Sequence, residues 1–166
     1  MLTQDPLLAM LLFLHVGGAI VAFGPGFTFP ILGPMAGREP SHVNFALRFQ
    51  RQVATTLVVP LALFQGVTGV LLIWSFNIDL LNTYWLLVAI GLYLIALVLS
   101  IGFGLPTLRR LIELTSAPAP PPPPGAEPPK GPPPHVAALV QRGRRLGYAQ
   151  IALIVAIVFL MVTKPF

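Results

Sequence analysis

The chain has 166 residues and not one cysteine, which excludes disulfides, thiolate metal sites and thiol redox chemistry and leaves cysteine usage silent on the compartment. Charge is scarce too: 9% of residues are charged, against roughly 25% in an ordinary soluble domain. The five acidic residues, Asp5, Glu39, Asp79, Glu113 and Glu127, all fall at the edges of apolar runs or between them. No run therefore holds paired carboxylates for acid–base work, or a buried acid to relay protons or couple an ion. A glycine-rich phosphate loop and a nucleophile beside a base are missing as well. The chain is expected not to be an enzyme. It also lacks a basic n-region, Asp5 being the only early charge, so its first apolar run is expected to stay in the mature protein rather than act as a secretory signal.

What remains is apolar: 55% of residues are hydrophobic and the mean hydropathy is +0.83. Four stretches carry no Asp, Glu, Lys or Arg: Leu7 to Ile31, Val53 to Asn77, Leu80 to Leu108 and Gly147 to Thr163. Each meets or nearly meets the roughly 17 to 25 apolar residues that a helix needs to cross about 30 Å of hydrocarbon. The sequence predicts an all-α membrane protein of four transmembrane helices in an antiparallel bundle. A pI near 10.5 in so apolar a chain points to topology and anionic lipid headgroups rather than to nucleic acid.

Short cytoplasmic loops carry an excess of Lys and Arg, and here the bias is strong. Arg38, Arg48 and Arg51 fall in the first loop, and Arg109, Arg110, Lys130, Arg142, Arg144 and Arg145 in the third; the second has none, and Lys164 stands alone near the C-terminus. Both termini are thus expected outside a bacterial cytoplasmic membrane, with loops one and three in the cytosol and Arg48, Arg51, Arg109, Arg110, Arg142, Arg144 and Arg145 at the headgroups. Trp74 and Trp85 flank the turn "NIDLLNT" on the opposite side, where interfacial aromatics belong.

Residues 1–115 are read as helices one to three with their loops, 116–134 as a Pro-rich cytoplasmic linker, and 135–166 as helix four with a cytoplasmic extension. Span one ends in "FGPGFTFP", whose prolines predict a kink or an early stop. Ser41 is placed to cap the helix that begins "HVNFALRFQRQ". The linker composition favours polyproline II, a backbone without internal hydrogen bonds, and reads as a spacer or, alternatively, a docking segment.

His15 lies eight positions after Leu7, about 12 Å into the hydrocarbon. An ionisable side chain at that depth marks either a functional group or an interhelical hydrogen bond. His42 and His135 fall in predicted cytoplasmic segments, so haem ligation by two histidines is excluded, and Met10 and Met161 are both shallower than His15. The same lack of converging His and carboxylates argues against copper or zinc. No cofactor is predicted; a haem or chlorophyll on His15 as single axial ligand is the alternative. Counted from the outer face, Thr68 and Tyr93 share its depth and Gln65 lies one turn deeper, forming a candidate polar pocket. Gly66 and Gly69 beside them, and the Gly18/Ala22 small-xxx-small pair on span one, would let helices approach closely.

In "LLFLHVGGAIVAFGPGF", "FQGVTGVLLI", "GLPTLRRL" and "VFLMVTKPF" the chain resembles the bacterial integral-membrane family known as domain of unknown function 2269, over nearly all of its length outside the linker. The resemblance implies a four-helix membrane bundle with His15 early in helix one and Lys164–Pro165 closing helix four. The Leu14–His15 start is more distantly similar to copper-resistance D proteins and membrane protoporphyrinogen oxidases, which implies metal or haem at His15. The chain departs from both in having no second intramembrane histidine and no tryptophan shortly after His15.

Taken together, these features describe a small structural or accessory subunit that packs against lipid and against other membrane subunits or further copies of itself. A haem- or chlorophyll-binding redox or pigment subunit is the alternative, and a small-molecule permease working as an oligomer is a third. The charge asymmetry has a direct check: an epitope inserted in the Pro-rich segment is expected to be read only after cells are opened. Labelling in intact cells would reverse the topology.

Overall fold

The computed structural model describes residues 5–116 and 131–165. The greater part of the expected linker, 117–130, lies outside the described residues.

In hydrocarbon no water is present to satisfy backbone amides and carbonyls, so each apolar run must close its own hydrogen bonds. All four do so as helices long and apolar enough to cross a membrane: α1 (Pro6–Arg38), α2 (Pro40–Ser75), α3 (Tyr84–Ser116) and α4 (Pro134–Thr163). No strand occurs among the described residues. The all-α, four-span fold class read from the sequence holds.

Asp5 starts α1, its Oδ1 accepting from the amides of Leu7 and Leu8 at 3.0 and 3.4 Å, with Pro6 in the first turn. Of the kink or early stop expected at "FGPGFTFP", the early stop does not occur: α1 continues through Pro25, Pro30 and Pro34 to Arg38. Each proline removes one backbone donor, but the hydrogen bonds on either side survive, and in a dry medium an interrupted helix would orphan far more groups. Ser41 does not cap α2. Its hydroxyl lies 3.3 Å from His42 Nδ1, and a 3₁₀ turn, Pro40–His42, opens the helix instead.

Pro60 and Pro106 are handled differently from the prolines of α1. Directly before each, the helix widens into a π-turn, Ala54–Val58 in α2 and Val98–Gly104 in α3. The amide of Val59 reaches Ala54 O, and that of Leu105 reaches Ser100 O, each five residues back. Widening the turn makes room for the proline ring against the preceding carbonyls.

Between α2 and α3, Asn77 takes a left-handed conformation (φ 49°) and Asp79 organises the turn. Its carboxylate accepts from the Leu81 amide and Asn82 Nδ2, and its carbonyl accepts from the Thr83 hydroxyl. Beyond the end of α4, the Lys164 ammonium stands 5.7 Å from the centre of the Trp85 ring, tying that end to the start of α3.

Each helix packs against its two neighbours around a closed ring, α1 on α2, α2 on α3, α3 on α4 and α4 on α1. The interior mixes small side chains, Ala22, Ala46, Ala62, Ala89 and Ala96, with leucines and isoleucines such as Leu86, Leu111 and Ile154, while Phe13, Ile20, Val70 and Phe159 point outward. That inversion suits lipid, where close van der Waals packing rather than apolar burial holds helices together. At the loop-one and loop-three end, Asn44 Nδ2 donates to Ile112 O, Thr115 Oγ1 and Ser116 Oγ, fastening the start of α2 to the end of α3.

Candidate functional site

His15, three turns into α1, meets Thr68 on α2: Nδ1 and Oγ1 are 2.8 Å apart. Thr68 is 1% exposed. Its hydroxyl lies 3.1 Å from Phe64 O and 3.2 Å from Gln65 O, so its single proton goes to the carbonyls of its own helix. Toward His15 the oxygen is then left to accept, the arrangement these carbonyl bonds favour, although the 2.8 Å contact alone fits either tautomer. That assigns the imidazole proton to Nδ1 and leaves the lone pair on Nε2. No described residue bonds Nε2, and it is not among the buried polar atoms that lack a partner, so it keeps some accessible surface. The ring lies beside Gly69 of α2, where a methyl group would make ordinary contact with Cε1 at 3.5 Å.

Gln65, one turn along the same face, is 6% exposed and touches α1 at Gly18. A Cβ on Gly18 would stand 2.9 Å from Gln65 Oε1, so a side chain there would push the Gln65 amide aside. Gln65 Oε1 is buried without a hydrogen-bond partner among the described residues. It faces the Cα hydrogens of Gly18, at best a weak acceptor contact. Ala22, 1% exposed, continues the small-residue seam one turn on.

Tyr93 is not a partner of His15. Its hydroxyl donates to Ala62 O at 2.8 Å, across the α2–α3 contact. α3 packs on the opposite flank of α2 from α1, so a shared depth would not bring the two side chains together. The phenol reaches the α2 backbone because Gly66 has no side chain; a Cβ there would fall 2.7 Å from the hydroxyl oxygen. The expected pocket of Gln65, Thr68 and Tyr93 around His15 is therefore three separate contacts along α2.

Two hollows lie at the arginine-rich end, away from His15. One of about 250 Å³ between α2 and α3 is lined by Arg51, Thr55, Ile101, Leu105, Pro106 and Arg109. Arg48, Arg110, Arg142, Arg144 and Arg145 share that end of the ring, and Arg142 stands over the Phe103 ring at 5.8 Å. Of this groove the sequence reading had only the two arginines; Pro60 and Pro106 inside charge-free runs were the signal for its widened walls. Among the described residues no three His, Cys, Asp or Glu side chains come together to hold a metal ion.

A closed ring of four apolar helices with one histidine inside the hydrocarbon defines a small polytopic integral membrane protein. The chain belongs to the family described as "Predicted integral membrane protein (DUF2269)", which matches residues 9–165. No curated protein and no solved structure matches it.

The Tyr93 contact gives a quantitative check in detergent unfolding. Gly66→Ala is expected to destabilise by about 1–3 kcal/mol by displacing the hydroxyl from Ala62 O, and Tyr93→Phe by about 0.5–1.5 kcal/mol. The double variant should cost less than the sum, because both changes break one contact. Gly17→Ala, with nothing within 4 Å of the new methyl, should be neutral. Strict additivity of Gly66→Ala and Tyr93→Phe would contradict this geometry.

Proposed function

We propose that the chain is a non-enzymatic accessory subunit of a bacterial cytoplasmic membrane, with loops one and three in the cytosol, and that His15 is the group through which it engages a larger assembly or further copies of itself. The observation that carries this reading is the fixed imidazole, held by Thr68 at Nδ1 and open at Nε2. A bare acceptor facing hydrocarbon is unfavourable, and a donor on a neighbouring helix removes that penalty. Because Thr68 already fixes the ring, little rotamer entropy is lost when the second bond forms.

The same observation favours a second reading. A metal-ligating histidine ordinarily donates its other ring N–H to an oxygen that sets the tautomer, and Thr68 Oγ1 stands where that oxygen would be. A haem or chlorin metal would then take Nε2 as a single axial ligand. The likeness of the Leu14–His15 start to haem- and copper-associated families supports this reading.

One preparation separates the two. Protein purified in mild detergent is expected to be colourless and to leave the membrane in fixed stoichiometry with partner subunits or as an oligomer. His15→Phe should weaken that association about 3- to 30-fold, the range of one interhelical hydrogen bond. A Soret or chlorin band that disappears in His15→Ala would select the axial-ligand reading. A colourless monomer with the same behaviour in His15→Phe would contradict both.

A further inference from the structure

The groove between α2 and α3 at the arginine-rich end has a vertical order. Arg51 is 24 residues from Ser75, and Arg109 is 25 residues from Tyr84, the helix ends at the opposite surface. At 1.5 Å per residue both lie about 37 Å from that surface, just beyond about 30 Å of hydrocarbon and within the headgroup layer. Thr55 lies one turn deeper on α2, and Pro106, Leu105 and Ile101 descend along α3 from Arg109 into the apolar zone. Charge sits at the mouth of the groove and hydrocarbon below it.

Both guanidinium groups have donors to spare. Arg51 makes no ion pair among the described residues. Arg109 gives its Nε to Glu113 Oε1 at 3.1 Å, while Arg110 takes the other carboxylate oxygen at 3.3 Å. This orients the Arg109 side chain and leaves its terminal nitrogens free. Two planar forks facing one groove suit the oxygens of a phosphate diester.

The groove walls are also the places where both helices widen. Thr55 belongs to the π-turn before Pro60 and Ile101 to the π-turn before Pro106. Such turns often mark functional positions in helices.

We propose that this groove holds one anionic glycerophospholipid, its phosphate between Arg51 and Arg109 and an acyl chain along Ile101, Leu105 and Pro106. A free phosphate has no use for the apolar wall, and a zwitterionic lipid brings a cation to a mouth that is already positive. The site is independent of His15 and of any cofactor there.

Native mass spectrometry of the detergent-purified chain tests it, with phosphatidylglycerol, phosphatidylcholine and inorganic phosphate as probes. At about fivefold per guanidinium, phosphatidylglycerol should be retained about 25-fold better than phosphatidylcholine. Arg51→Gln with Arg109→Gln should abolish that preference, whereas Arg144→Gln with Arg145→Gln, outside the groove, should keep it. Ile101→Trp, which fills the apolar wall and leaves the charges intact, should lower phosphatidylglycerol retention, so the proposal stays testable if the double arginine variant does not fold. Equal retention of the two lipids, equal loss in the Arg144/Arg145 variant, no effect of Ile101→Trp, or displacement of the lipid by inorganic phosphate would each overturn it.

Discussion

The absence of water from hydrocarbon governs this protein more than any single packing contact, because every polar atom placed there must find a partner within the chain or outside it. Backbone groups meet the demand by staying helical even through Pro25, Pro30 and Pro34, and by widening into π-turns before Pro60 and Pro106. Side chains meet it through the backbone: Thr68 returns its proton to the carbonyls of α2, and Tyr93 crosses from α3 to Ala62 O. Among the described residues Gln65 Oε1, in the seam between α1 and α2, is buried without a partner, and His15 Nε2, at the margin of that seam, accepts no hydrogen bond. The first is sealed inside, whereas the second is open to whatever lies beside the chain.

The two α2 contacts use glycine in different ways. Gly18 leaves room on α1 for the Gln65 side chain of α2, while Gly66 opens a window through which one side chain reaches a carbonyl. Around them the core combines alanine with leucine and isoleucine, while many other large apolar residues face outward. The groove at Arg51 and Arg109 and the imidazole at His15 lie at different depths on that exterior.

Much of this was legible in the sequence because the bilayer turns composition into geometry. Charge-free length gave four spans, and counting from a shared surface put His15 and Thr68 at one level, where they meet. The same count put Tyr93 at that level and could not tell on which side of α2 its helix would stand, since depth carries no information about order around the ring. Proline was ambiguous for a related reason. It removes a donor wherever it occurs, but whether the helix stops, continues or widens depends on how neighbouring carbonyls and rings are packed. Pro25 and Pro106 look alike in sequence and lie in different backbones. Ser41 has the chemistry of a cap, yet Pro40 begins a 3₁₀ turn that satisfies the first amides without it.

The account turns on which nitrogen of one imidazole carries the proton. Nitrogen-15 NMR of histidine-labelled protein in bilayers, with His42 and His135 replaced by glutamine so that a single ring remains, reads this directly. Thr68 acting as acceptor predicts a hydrogen-bonded proton on Nδ1 and a bare or metal-bound Nε2. A proton on Nε2 with a bare Nδ1 would mean that the threonine donates instead, and the outward-facing lone pair would not exist.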